Sequence, residues 1–173
     1  MNRSSFREWF IKLAVILLLA VLQTGAVNII SVNSVSPDLL FAFSMAMACV
    51  EKEWYSALNT ALICGIFSDF VCHSAFLGYT AVYAYSAVAV YFLKNLLLKP
   101  NVFFVNALAL VIFILGKTVL APVIYFTREV PFADFFLDDV LPSAVYNMVC
   151  FFVLYLILRG IVKRREKRRA AEI

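Results

Sequence analysis

The sequence has little of what metalloproteins and nucleotide-dependent enzymes use. Only 15% of its 173 residues are charged, and it contains a single histidine, His73. It has no C-x-x-C pair, no glycine-rich nucleotide loop, no Gly-x-Ser-x-Gly and no His-Glu-x-x-His. We therefore expect no metal, no other cofactor, no nucleic-acid partner and no catalysis by any of these common site types.

What the sequence has instead is apolar surface. It is 64% hydrophobic and contains 17 phenylalanines, whereas a soluble domain is about half apolar and about a quarter charged. The uncharged stretches 13–37, 74–93 and 140–158 each have about the ~20 residues that span a bilayer. The chain is predicted to be an all-α integral membrane protein, with residues 1–173 forming a single transmembrane domain.

The four cysteines, Cys49, Cys64, Cys72 and Cys150, show no metal-ligand spacing. Three of them fall inside apolar runs, where cysteine behaves as a small hydrophobic side chain. Space-filling is the favoured interpretation, and a disulfide or redox role is the alternative.

The N-terminal stretch "MNRSSFREWFIKLAVILLLAVLQTGA" has two interpretations. A basic start, an apolar run and a small-residue end are typical of a secretory signal peptide. The apolar run is long for a signal, however, and the sequence after it is also membrane-like. We therefore expect a retained first transmembrane helix.

Six spans are predicted, at about residues 10–27, 37–50, 54–72, 75–97, 102–126 and 139–160. The second has about 14 residues and is only roughly 21 Å long. Spans two and three would alternatively form a re-entrant hairpin, but that would bring the charged link "EKE" near the bilayer centre at a high cost. Two true spans are the preferred interpretation.

Basic residues set the orientation. Of the 15 lysines and arginines, 13 lie before or at the start of the first span, in or beside the links after spans two and four, or at and after the end of the last span. Lysine and arginine accumulate in short cytoplasmic loops, so both termini are predicted in the cytoplasm.

Two segments beyond the spans have alternative interpretations. The basic tail, residues 161–173, either anchors the last helix on anionic lipid or docks an acidic cytoplasmic partner. The outer link "TREVPFADFFLD" either lies along the membrane interface or meets a partner. The lipid interpretation is preferred for both.

Ionisable residues within the spans are candidates for structural or partner-facing roles. Asp38 follows Pro37 at the start of the second span, where an acid caps a helix and complements its dipole. Capping alone accounts for Asp38, although a functional role stays open.

Asp69 and Lys117 require a joint explanation. Each lies about 15 residues into a helix that runs outward, so each rises about 22 Å and reaches a similar depth. A buried charge without a partner is costly. We expect Asp69 to face the bundle and to pair with Lys117, directly or through water. The alternatives are a lysine that extends outward to water and a solvated Asp69 beside His73.

Two aspartates near the outer face also suggest an aspartyl enzyme, since paired carboxylates activate water in lipoprotein signal peptidases. The asparagine- and arginine-containing motifs of those enzymes are absent, and the chain reads Ile66-Phe67-Ser68-Asp69 in place of Gly-x-Gly-Asp. We expect no enzymatic activity.

Four stretches of the sequence together form a recognisable pattern. "SPDLLFAF" (36–43) opens the second span, and "GIFSDF" (65–70) has the spacing Gly-x-x-x-Asp at Gly65 and Asp69. "FLGYTAVYAYSAVAVYFLKN" (76–95), with Gly78, is rich in small residues and tyrosine, and "LPSAVYN" (141–147), with Pro142 and Asn147, starts the last span. In these stretches and in their order, the sequence resembles the MreD family of bacterial rod-shape proteins. The match departs at residues 68, 70 and 71 and at the "EKE" link.

The resemblance implies a non-catalytic scaffold in the bacterial cytoplasmic membrane. Such proteins associate with MreC and act with RodA, its penicillin-binding transpeptidase and, through MreC, the MreB filament. Their fold is similar to the S-components of energy-coupling-factor transporters, and this similarity gives the alternative function, binding of a vitamin. A small-molecule pocket needs several converging polar groups, and the predicted spans offer few.

Overall fold

The computed structural model describes residues 3–25, 37–71, 77–96, 102–128 and 136–171, and every regular element in these ranges is helical. A single π-helical turn, Phe136–Val140, leads directly into the last helix. The six α-helices are α1 (Arg3–Thr24), α2 (Leu39–Val50), α3 (Trp54–Val71), α4 (Gly78–Leu96), α5 (Val102–Arg128) and α6 (Leu141–Ala171).

Helix α2 is the centre of the bundle. It contains no charged residue, and all nine residues from Leu40 to Ala48 are buried, as expected of a helix that is apolar on every side. It packs against α1, α3, α4 and α6. The Phe41 ring makes edge-to-face contacts with Tyr83 of α4 and Phe113 of α5, at centroid distances of 5.1 and 5.0 Å.

Helices α3 and α4 form the closest pair. The buried face of α3 carries small residues one helical turn apart, Ala57, Ala61 and Gly65, a spacing that lets two helix backbones approach closely. A Cβ atom at Gly65 would lie 2.4 Å from the Cα of Thr80 on α4. Residue 65 must therefore lack a side chain for the two helices to approach this closely, since any side chain there would meet the backbone of α4.

Consecutive helices run in opposite directions. The side chain of Lys94 near the end of α4 bonds to the carbonyls of residues 48, 49 and 51 at the end of α2. Lys12 in the first half of α1 pairs with Glu51. At the other end, Asn147 early in α6 bonds to Asp38. We name these the Glu51 end and the Asp38 end. The start of α1 and the end of α6 both lie toward the Glu51 end.

The helix bounds agree with the predicted spans to within about three residues at most ends, and the main difference is α6. The basic tail continues this helix without a break as far as Ala171, because its lysines, arginines and alanines are good helix formers. The predicted outer link falls mostly outside the described residues.

Only part of the predicted membrane character is visible from helix length and composition. Among the described residues, one helix, Leu141–Arg164, is long and apolar enough to cross a membrane. Three others are apolar but shorter: Trp9–Thr24, Leu39–Val50 and Phe104–Thr118. Six helices are confirmed within the described ranges, and six membrane spans stay a prediction.

Candidate functional site: a buried polar cluster around Asp38

Asp38 lies at the N-terminus of α2 and is 8% exposed. Its Oδ1 accepts a hydrogen bond of 3.0 Å from the backbone N–H of Phe41, the contact that defines an aspartate N-cap. The predicted capping role is confirmed. The preceding Pro37 is also buried.

The second carboxylate oxygen of Asp38 has a different partner. The hydroxyl of Tyr83 on α4, which is 1% exposed, donates to Oδ2. The same hydroxyl lies 3.0 Å from the Oγ of Ser68 on α3. One tyrosine hydroxyl thus connects three helices, and the acceptor that it meets on α2 is a carboxylate.

Two amide side chains complete the cluster. Gln23 of α1 donates from Nε2 to Asp38 Oδ1 at 3.3 Å and accepts from the backbone N–H of Leu40 at 3.1 Å. Asn147 of α6 accepts from the backbone N–H of Asp38 at 2.7 Å. We call Gln23, Asp38, Ser68, Tyr83 and Asn147 the Asp38 cluster. It connects five of the six helices at one point.

One polar atom of the cluster is not satisfied. The Nδ2 of Asn147 is buried and has no hydrogen-bond partner within the described part of the chain. Asn147 borders a small cavity that Phe41, Met45 and Phe113 also line. Unpaired buried donors are uncommon in proteins, and the cavity beside this one is too small for any ligand larger than water.

Asp69 forms a separate site on the buried face of α3. It is 6% exposed, which confirms that it faces the bundle. Its oxygens accept from the backbone N–H groups of Tyr79 and Thr80, both at 3.0 Å, and from the Thr80 hydroxyl at 2.6 Å. A carboxylate from one helix thereby caps the first turn of the next.

Gly65 lies one turn before Asp69 on the same face, so the two act on the same segment of α4. The glycine admits the backbone of Thr80, and the aspartate binds its N–H group. Residue 77, directly before α4, has a φ of 48°, a left-handed conformation that is uncommon for leucine. The contacts from α3 fix this turn, and Gly78 is the first residue of the helix that follows.

Lys117 of α5 lies in the same neighbourhood. Its Nζ is 5.7 Å from the ring centroid of Tyr79 and 5.9 Å from that of Phe113, within the range of cation–π attraction. Tyr79 therefore contacts both predicted partners, through its N–H to Asp69 and through its ring to Lys117. Helix α4 packs between α3 and α5. Pairing of the two charges stays a prediction, and its alternative beside His73 lies outside the described residues.

The two aspartates occupy separate sites, and each is hydrogen-bonded to other groups of the chain. The two carboxylates lie in different donor sets, Asp38 with Tyr83 and Gln23, and Asp69 with the start of α4. Within the described ranges, no group of three or more histidine, cysteine, aspartate or glutamate side chains is arranged to hold a metal ion. Cys64 is buried and unpaired, and Cys49 and Cys150 are also free thiols.

The structure brings some predicted residues together and separates others. Asp38 and Asn147 meet in the Asp38 cluster, directly after the buried Pro37, whereas Asp69, Gly65 and Gly78 form the second site. Pro142 is the second residue of α6 and directly follows the π-helical turn. Tyr83, Ser68 and Gln23 were not predicted. A polar residue on an otherwise apolar helix face was the available signal for Ser68 and Gln23. Tyr83 offered none, because α4 contains several tyrosines.

The comparisons with known proteins give one match. No curated protein and no solved structure matches the chain. The model of the family described as rod shape-determining protein MreD matches residues 3–165, which is essentially the whole chain and includes both polar sites. The chain belongs to the MreD family, bacterial membrane proteins with a role in rod-shape determination.

Proposed function

We propose that the chain is a non-catalytic scaffold of the cell-wall elongation machinery, a multi-pass membrane protein with both termini in the cytoplasm. In this proposal it binds MreC and connects it to RodA and the penicillin-binding transpeptidase, and through MreC to the MreB filament. Family membership supports the role in cell shape. The partners and the orientation are proposed from the resemblance and the charge pattern.

The observation that carries the scaffold proposal is how the Asp38 cluster uses its polar groups. Both oxygens of the central carboxylate accept hydrogen bonds from the chain itself, from Phe41, Gln23 and Tyr83. Hydrogen bonds that engage a buried carboxylate on both oxygens rigidify the core around it and favour one packing. A binding pocket for a polar small molecule would instead need converging groups with unused hydrogen-bonding capacity.

The apolar surface supports a partner-binding role. Large hydrophobic side chains are exposed along α1 and α6, including Leu18 at 59%, Val21 at 68% and Val145 at 62%. Apolar bands of this kind face lipid or another protein. A membrane scaffold needs both kinds of contact, and these two helices offer the surface for them.

Extraction in mild detergent followed by affinity purification tests the proposal. We expect MreC to co-purify with the tagged chain, and we expect rod-shaped cells to become round when the chain is depleted. A bound vitamin in place of MreC, with cell shape unaffected by depletion, would favour the transporter S-component. Turnover of a lipid or peptide substrate that Asp38→Asn and Asp69→Asn each abolish in a folded protein would contradict the non-catalytic role.

A further inference from the structure

A cleft of about 310 Å³ opens between α1 and α3 at the Glu51 end. Its mouth is polar, with Lys12 from α1, Glu51 and Glu53 from the link between α2 and α3, and Asn59 from α3. Its inner wall is apolar and includes Leu13, Ile16 and Ile63. The cleft is separate from the Asp38 cluster, which lies at the opposite end of α1 and α2.

The change from polar to apolar follows the same direction on both walls. Helices α1 and α3 run parallel, because Lys12 bonds to Ser56 at the start of α3 while Ile16 and Ile63 line the cleft further along. Lys12 to Ile16 and Asn59 to Ile63 are each one helical turn, or about 6 Å. The cleft therefore changes from charged to hydrocarbon-like within the distance that separates the headgroup of a phospholipid from its acyl chains.

Two polar groups at the mouth have unused capacity. Lys12 is engaged by Glu51 and Ser56. The side chains of Glu53 and Asn59 are exposed and make no hydrogen bond within the described part of the chain. Glu53 and Asn59 are therefore available to hydrogen-bond to a ligand in the cleft.

The charge of the mouth selects the kind of headgroup. Glu51 and Glu53 outnumber Lys12, so the mouth favours a ligand with an ammonium group over an anion. The exposed rings of Trp9 and Tyr55, 51% and 55% accessible, also line the cleft. Aromatic side chains at membrane interfaces lie at the level of headgroups, and their faces attract cations.

We propose that this cleft binds a phospholipid whose headgroup carries a primary amine, as in phosphatidylethanolamine. The ammonium donates hydrogen bonds to the carboxylate of Glu53 and the amide oxygen of Asn59. The phosphate lies beside Lys12, and the first acyl carbons lie against Leu13 and Ile16. The inference rests on the membrane location proposed above, with the Glu51 end at the cytoplasmic surface, but it is independent of the partners.

Native mass spectrometry of the full chain in mild detergent tests this site. The protein is offered phosphatidylethanolamine, phosphatidylcholine and phosphatidylglycerol with identical acyl chains, in equal amounts. Phosphatidylcholine has no N–H donor, and phosphatidylglycerol has no amine. We expect the phosphatidylethanolamine adduct to exceed each of the others by about tenfold or more, as loss of a charge-assisted hydrogen bond would give.

Variants localise the binding. The double variant Glu53→Gln, Asn59→Leu is expected to lose the preference for phosphatidylethanolamine, because it removes the two groups that bind the ammonium. Both side chains are exposed, so the core is unchanged. Asn95→Leu, an exposed asparagine on α4, is the matched control and is expected to keep it. Circular dichroism verifies that both proteins fold.

Three outcomes would overturn the proposal. Equal binding of the ethanolamine and choline lipids would mean that no N–H donor is recognised. An unchanged preference in the Glu53→Gln, Asn59→Leu protein would place the lipid elsewhere. A dominant phosphatidylglycerol adduct would assign lipid binding to the basic tail. None of these results would affect the test of MreC co-purification, so the two proposals fail independently.

Discussion

Replacing Tyr83 by phenylalanine removes one hydroxyl and leaves the rest of the Asp38 cluster in place. The ring keeps its edge-to-face contact with Phe41 at 5.1 Å, so packing changes little. What is lost is the hydrogen bond to the Asp38 carboxylate, together with the weaker contact to Ser68 at 3.0 Å. Asp38 Oδ2 then stays buried without its protein donor.

The expected loss of stability follows from the charge of the acceptor. A hydrogen bond to a charged group contributes about 1.5–3 kcal/mol, whereas a neutral side-chain bond between membrane helices averages about 0.6 kcal/mol. For a chain of this size, 1 kcal/mol shifts the unfolding midpoint by about 2–4 °C. Tyr83→Phe should therefore lower the midpoint by about 3–12 °C, and Ser68→Ala, the matched control, by about 1–2 °C.

The midpoints can be followed by the intrinsic fluorescence of Trp9 and Trp54 during thermal unfolding in detergent. Combining Tyr83→Phe with Asp38→Asn should cost less than the sum of the two single changes, because both disrupt one bond. A Tyr83→Phe midpoint within about 1 °C of the parent protein, or strictly additive losses, would contradict a stabilising charged hydrogen bond between Tyr83 and Asp38.

Three further predictions concern the other sites. Gly65→Ala should destabilise the α3–α4 pair by about 1–3 kcal/mol through overpacking. Gly160→Ala, where an added Cβ meets nothing within 4 Å, should be neutral or stabilising. Equal unfolding midpoints for the two variants would contradict the close approach of α3 to α4. Asp69→Ala and Lys117→Ala should each lower stability, and Asp69→Asn with Lys117→Met should recover part of the loss; strictly additive effects would exclude pairing. In a Lys52→Cys variant, a thiol reagent should label residue 52 only from the cytoplasm. Labelling of this residue from the periplasm would contradict the model of six spans.

The helices themselves could be predicted because hydropathy and charge are local properties. The short second span illustrates this: its run of apolar residues predicted a helix from about residue 37, and α2 begins at Leu39 with Asp38 as its cap. A cap depends on contacts within one turn, so it is visible in sequence. The length of α6 was underestimated, because a charged tail signals the end of a span but not the end of a helix.

Lateral contacts could not be predicted in the same way. Depth along a helix placed Asp69 and Lys117 at a similar level, but hydropathy does not show that α4 lies between their helices. For the same reason Asp38 was explained by its cap alone, although its other oxygen binds Tyr83, 45 residues away in sequence. Which of several tyrosines reaches a carboxylate is decided by helix order and rotation, which only the structure supplies.

Direct binding of the purified chain to purified MreC is the measurement closest to the central claim. The two proteins would be reconstituted together in lipid nanodiscs, with fluorescence energy transfer between labels reporting their association. If the chain is a scaffold for MreC, binding should be saturable. Unlabelled MreC should compete with it, and an unrelated single-span protein should not. A folded chain that shows no saturable transfer to MreC would contradict it.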